Sequence, residues 1–309
     1  MPARLQGVLA PVVTPFRPDL APDAERFARH CRWLLDRGVG LAVFGTNSEA
    51  NSLSAGERVD LLDALIAAGI PAARMMPGTG TCALTDTVRL TAHAVQAGCA
   101  GVLMLPSFYY KGVSDEGLYR SYAEVIERVG DARLRVYLYH IPPVSQVPLS
   151  LPLIERLLRA YPQAIAGVKD SSGDWSNTKA MLNAFAGQGF DVFAGSETFL
   201  LANLRHGGRG CISATANVNP AAIHALFEHW RDDDADARQQ RLDAVRGVFQ
   251  RRPMIAAMKA AIAHFGGDPA WATVRPPLTP LGAAETGALL GELAASGFAM
   301  DGLREVAAA

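Results

Sequence analysis

The stretch Ile165-Ala166-Gly167-Val168-Lys169, followed by Asp170-Ser171-Ser172-Gly173, decides how this chain is read. It is short, apolar on both faces, and ends in a charged residue ahead of a run of turn formers. Burial on both faces is what a parallel strand covered by helices requires. Seven other runs share this character: Val8–Val13, Leu41–Phe44, Arg74–Met76, Gly101–Leu105, Leu134–Tyr139, Asp191–Phe193 and Gly210–Ser213. Longer segments of helical period separate them. Ala24–Asp36 places Phe27, His30, Cys31, Leu34 and Leu35 on one face. Ser54 and Glu57 have the spacing of a capping box, and Ser114 is expected to cap a helix whose first turn carries Asp115 and Glu116.

Eight strand–helix repeats predict an α/β fold, a (β/α)8 TIM barrel over residues 1–222. After Asn217 the strand signals stop. Ala237–Val248, Pro253–Phe265 and Ala283–Ala295 read as helices, which predicts a C-terminal helical subdomain over residues 223–309. The charged stretch 231–236 is expected to be a solvated turn. Arg275-Pro276-Pro277-Leu278-Thr279-Pro280-Leu281 is expected to be a rigid extended link.

Composition narrows the function. Across 309 residues the formal net charge is −1, so no basic excess is present to neutralise phosphates and nucleic acid is not an expected partner. No apolar run is long enough to cross a membrane, and the segment from Met1 to Phe16 lacks the apolar core of a signal peptide. Cys31, Cys82, Cys99 and Cys211 have no metal-ligand spacing and read as reduced core thiols of a cytoplasmic protein. The histidines suggest no metal triad. Only four of the 29 Lys and Arg residues are Lys: Lys111, Lys169, Lys179 and Lys259. Arginine cannot do amine chemistry, so each lysine warrants inspection.

In a (β/α)8 barrel the chemistry sits at the C-terminal ends of the strands. Lys169 ends its strand where an apolar residue would be the ordinary choice. A buried lysine has a destabilised charged form and so a usable amine nucleophile. The alternative is a lysine paired with Asp170 or reaching to solvent. Tyr139 ends the preceding strand at matching depth and either relays protons or packs as a core aromatic. Thr46 and Asn47 follow Gly45 in a tight turn whose N–H groups form a nest for a carboxylate. Glu49 reads as an acceptor that fixes this loop rather than as an acid catalyst. His140 should face away from Tyr139 by the two-residue period. Gly207-Gly208-Arg209-Gly210 precedes a strand and is not a phosphate loop.

With these residues aligned, the chain resembles the dihydrodipicolinate synthase / N-acetylneuraminate lyase family over nearly its whole length. The motifs are Gly7–Phe16, Gly45-Thr46, Gly78-Thr79-Gly80, Pro106–Tyr110, Tyr139-His140-Ile141-Pro142, Gly167-Val168-Lys169-Asp170 and Gly210–Ser213. The resemblance implies a lyase of the class I aldolase type that forms a Schiff base between Lys169 and pyruvate or another 2-keto acid. It implies a proton relay of Tyr139, Thr46 and Tyr110, the last lent across a subunit interface. It further implies substrate contacts at Thr46, Asn47, Ser48, Gly195, Ser196 and Ile212, a homotetramer, and an aldehyde as second partner. No cofactor or metal is expected, because the lysine supplies the electrophile. The expected substrates are 2-keto-3-deoxy sugar acids. A dehydratase or deaminase using the same iminium is the nearest enzymatic alternative, and a 2-keto acid sensor the non-enzymatic one.

One departure bears on substrate. Synthases of the lysine pathway carry an Arg five positions after the strand-five tyrosine, to hold the carboxylate of the aldehyde. Here that position is Val144, and an apolar side chain cannot replace a bidentate guanidinium. Aspartate semialdehyde should therefore condense only slowly with pyruvate in a coupled assay; an efficient rate would remove Val144 as a determinant.

Overall fold

The computed structural model describes residues 4–308, and these pack as two compact units. One comprises the described part of Met1–Gly7 together with Pro71–Ile212; the other comprises Val8–Ile70 together with the described part of Ser213–Ala309. Among the described residues the strands are, in chain order, β1 (Gly7–Ala10), β2 (Gly40–Leu41), β3 (Val102–Met104), β4 (Val136–His140), β5 (Ile165–Asp170), β6 (Asp191–Ala194) and β7 (Gly210–Ile212).

In the first unit β3 to β7 lie side by side in sequence order, every neighbouring pair parallel. All residues of these strands are buried, as two-faced apolar runs demand. Helices Asp115–Val129, Leu151–Ala160, Trp175–Phe185 and Leu200–Arg205 connect them, and helix Leu84–Gln96 precedes β3. Ser114 caps its helix by accepting from the Gly117 N–H at 3.2 Å. Two glycines make room for a single ring: a Cβ at Gly101 would stand 2.8 Å from Cε2 of Tyr137, and one at Gly167 would stand 2.9 Å from its Cδ1. Tyr137 thus fills the space that side chains on both flanking segments would occupy. Its hydroxyl donates to Asp191 at 3.0 Å, and Asp191 also accepts from the Arg209 guanidinium at 2.8 Å.

The expected strand Arg74–Met76 is not a strand. Ala72–Arg74 forms a 3-10 turn, and the chain then extends alongside β3, where Leu103 N–H donates to Pro77 O at 2.8 Å and Thr79 N–H to Leu103 O at 3.0 Å. Pro77 has no N–H to donate, so a regular ladder cannot form there. Cys31, Cys99 and Cys211 are buried as expected, and burial pushes the Cys99 thiol up to about 12. Cys82 departs from that reading, because it lies exposed in the turn before helix Leu84–Gln96.

In the second unit β1 and β2 pair in parallel, Leu9 opposite Gly40 and Ala10 opposite Leu41. Both end sooner than expected. Phe44 turns into the left-handed region at φ +61°, and beyond Ala10 the buried Asn217 takes over the pairing, accepting from Val13 N–H at 3.0 Å and donating to Pro11 O at 3.1 Å. Helix Ala24–Leu35 is capped by Asp23, and helix Ala55–Ala67 shows both bonds of the capping box between Ser54 and Glu57, at 3.1 and 2.8 Å. After Asn217 every described element is helical: Pro220–Glu228, Ala235–Gln250, Met254–Gly266, the 3-10 turn Pro269–Ala272, Ala283–Ala295 and Leu303–Ala308. The link from Arg275 is not extended throughout. It turns at Pro276–Leu278, with a cis bond between the prolines and Leu278 N–H donating to Arg275 O at 3.1 Å.

His30 is buried between two indoles, 5.5 Å from Trp33 and 5.0 Å from Trp271 between ring centroids. Burial lowers its pKa to about 3 from the ordinary 6.5. A depressed base works against the folded state in acid: below 6.5 the unfolded chain takes a proton that the folded chain refuses, so stability falls between pH 6.5 and 3. The slope from this one group is about 1.4 kcal/mol per pH unit. His30→Phe should reduce the slope of unfolding free energy against pH in that window by about one proton, measured by urea titration at several pH values. An unaltered slope would show that His30 does not supply it.

Candidate active site

The parallel register of β4 and β5 sets Tyr139 opposite Lys169 and His140 opposite Asp170. Because side chains alternate along a strand, each pair shares a face. Lys169 and Tyr139 are each only 2% exposed, and the Lys169 ammonium nitrogen lies 3.2 Å from the Tyr139 hydroxyl and 4.3 Å from the ring centroid. The lysine therefore neither reaches solvent nor pairs with its neighbour. The Asp170 carboxylate is engaged elsewhere, accepting from Ser172 N–H at 2.9 Å, Ser172 Oγ at 3.1 Å, Asn177 Nδ2 at 3.1 Å and Thr178 Oγ1 at 2.6 Å. Those bonds tie the end of β5 to the helix that follows. His140 is a packed residue, as its alternation implies. Its Nδ1 accepts from Leu149 N–H at 3.0 Å, and burial lowers its pKa against the raising effect of Asp170.

The neighbouring strand ends carry other expected residues. Gly195 N–H donates to Asp170 O at 2.7 Å, and a Cβ there would meet that same oxygen at 2.7 Å, so only glycine permits the approach. Ser196 caps the following turn, accepting from Thr198 N–H at 3.2 Å, and Ile212 is fully buried at the end of β7. Tyr110 is placed differently: it is 67% exposed, with its ring edge-on to Tyr109 at 5.4 Å.

In the second unit Thr46–Ser48 form a single 3-10 turn. Ser48 N–H donates to Gly45 O at 3.1 Å, and Gly45 N–H returns to Ser48 Oγ at 3.1 Å. Asn47 N–H has no partner among the described residues. Glu49 is 3% exposed and fixes the loop, as its sequence context suggests. Its carboxylate is held by the Lys259 ammonium on one oxygen and by Arg275 N–H at 3.1 Å on the other. Sequence reasoning passed over Lys259 and Arg275 as supports of this turn. The available signal was a lysine in the otherwise apolar helical run Met254–Ile262. Burial pulls Lys259 down to about 8 against the raising effect of Glu49. No group of three or more His, Cys, Asp or Glu side chains among the described residues is arranged to hold a metal, and no described helix is long and apolar enough to cross a membrane.

Comparison with known proteins follows this geometry. Residues 4–295 match the model of the dihydrodipicolinate synthetase family. An uncharacterized DapA-like lyase of Chloroflexus aurantiacus is 33% identical over 290 residues, covering 93% of this chain and 95% of that protein. Dihydrodipicolinate synthase from Agrobacterium tumefaciens superposes with a TM-score of 0.87 at 32% identity, covering 94% of this chain and 99% of that one. YagE, a prophage protein of the same family from E. coli solved in complex with pyruvate, gives a TM-score of 0.87 at 29% identity over 96% of this chain and all of that one (100%). The fold class expected from the sequence, a (β/α)8 barrel with a C-terminal helical region, is the one shared with these structures.

The four bonds on Asp170 carry a stability prediction. Asp170→Ala leaves the buried Thr178 hydroxyl and three half-buried donors without their acceptor and should cost about 2 kcal/mol in urea unfolding. A midpoint equal to that of the parent would show that the helix holds the strand end without them.

Proposed function

We propose that this chain, which belongs to the dihydrodipicolinate synthetase family and is a lyase, forms a Schiff base between Lys169 and pyruvate or a related 2-keto acid. The observation that carries the proposal is the buried Lys169 amine 3.2 Å from the Tyr139 hydroxyl. An amine removed from water and facing a hydroxyl rather than a carboxylate is placed to add to a ketone. In the proposed reaction Lys169 adds to C2 of the keto acid, and Tyr139 carries protons to and from the carbinolamine oxygen, which departs as water. The resulting iminium withdraws electrons from C3, so that the C3–C4 bond of a 4-hydroxy-2-keto acid breaks or forms.

Other roles follow from the family resemblance. The turn at Thr46, Asn47 and Ser48 takes the carboxylate of the 2-keto acid, with Gly195, Ser196 and Ile212 as further substrate contacts. Thr46 and Tyr110 complete the proton relay, Tyr110 being supplied by a partner subunit of a homotetramer. The exposure of Tyr109, Tyr110, Val113 and Val144 supports self-association, since large side chains of this kind in the open invite a covering surface. Lys111 holds this region together, donating to Ser145 O at 2.8 Å and to Phe108 O. Val144 disfavours an acidic aldehyde, which leaves 2-keto-3-deoxy sugar acids as the proposed substrates. The barrel is proposed to end near residue 222, with residues 223–309 as a helical subdomain.

Two buried lysines make the test discriminating. Lys259 is occupied by Glu49 and by Thr273 O at 2.9 Å, whereas Lys169 faces a hydroxyl. Borohydride reduction in the presence of pyruvate should add one pyruvate-derived mass on the peptide containing Lys169, and none on that containing Lys259. Tyr139→Phe should retain some trapping while losing turnover by about a hundredfold or more. Label on another lysine, or turnover of the Tyr139 variant at the parent rate, would refute the assignment.

A further inference from the structure

Glu49 adopts the left-handed backbone region at φ +55°, directly after the Thr46–Ser48 turn. A residue with a side chain stays there only when its surroundings hold it. Both carboxylate oxygens are held: one by the Lys259 ammonium, with both side chains at 0% exposure, and one by Arg275 N–H at 3.1 Å. Lys259 in turn donates to Thr273 O at 2.9 Å and lies 4.6 Å from the Phe16 ring centroid. The Arg275 guanidinium closes the far end of the same loop. It donates to Ser52 O, to Leu20 O at 2.7 Å and to Glu57 at 2.7 Å, the last interaction drawing the Glu57 carboxyl down to about 2. On its other side the turn is fastened by Thr14 Oγ1, which donates to Ser48 O at 2.7 Å.

A buried ion pair adds little to stability compared with an apolar pair of the same volume, because both charges must be stripped of water. A clamp on the residue that kinks the chain does something an apolar pair would not: it fixes the direction in which the preceding N–H groups point. We propose that Glu49, Lys259 and Arg275 are positioning residues for the 2-keto acid carboxylate, so that the helix Met254–Gly266 and the segment after it set the affinity of the Thr46–Ser48 turn. This rests on the reading that the turn binds that carboxylate.

The test compares full-length parent, Glu49→Gln, Lys259→Met, Glu49→Asp and the double variant Glu49→Gln/Lys259→Met. The measurements are thermal unfolding, steady-state kinetics on a 2-keto-3-deoxy acid, and borohydride trapping with pyruvate. Each single neutralising variant strands a buried charge and should unfold at a lower temperature. The double variant removes both charges and should regain most of that loss. Its KM and its half-saturating pyruvate concentration for trapping should nevertheless stay raised by about tenfold or more, with kcat changed far less. Glu49→Asp, which keeps the charge but shortens its reach, should show an intermediate KM and carries the test if the neutral variants do not fold. A double variant, or Glu49→Asp, with the parent KM would overturn the proposal. Absence of trapping at Lys169 in the parent is a different result, and it would defeat the Schiff-base reading on which the proposal rests.

Discussion

The pairing of β4 with β5 is the constraint on which the proposed chemistry depends. Parallel register sets Tyr139 opposite Lys169, and the two-residue alternation of strands sends both side chains to one face while His140 and Asp170 go to the other. A shift of one residue in either strand would set Leu138 or His140 opposite Lys169 in place of Tyr139. The register thus decides whether Lys169 meets a hydroxyl.

The rest of the first unit keeps that register from slipping. Tyr137 occupies the space left by Gly101 and Gly167, so a side chain at either glycine would collide with the ring. Its hydroxyl is satisfied by Asp191, which leaves no unpaired polar group to favour another arrangement. At the other end of β5, Asp170 binds the helix that follows and Gly195 allows β6 to close against its backbone. Packing and hydrogen bonding thus act at both ends of the strand that carries the lysine.

The two buried lysines show how one side chain takes different chemistry from its surroundings. Lys259 is enclosed with a carboxylate and a carbonyl, so its charge is neutralised in place and its nitrogen is occupied. Lys169 has a phenol and the face of its ring. The first arrangement organises a backbone turn, and the second is the one on which the proposed Schiff base rests.

The sequence by itself determined the strands whose apolar runs are unbroken, the caps at Ser54 and Ser114, and the placing of Lys169 and Tyr139 at matching depth on adjacent strands. These are local matters: hydrophobic period, cap spacing and the chemistry of a residue at a strand end are all written within a few positions of one another. Only the tertiary structure decided the features that need a distant partner. The Arg74–Met76 run has the composition of a strand, but Ala72–Arg74 closes into a 3-10 turn, and the pairing with Leu103 falls later, at Pro77 O and Thr79 N–H. Cys82 looked like its three fellows until the turn before helix Leu84–Gln96 left it exposed. Glu49 could be read as a loop-fixing acceptor, yet its partner Lys259 stands 210 residues further on. No periodicity connects such positions; only the folded chain, which must satisfy a carboxylate taken out of water, brings the two together.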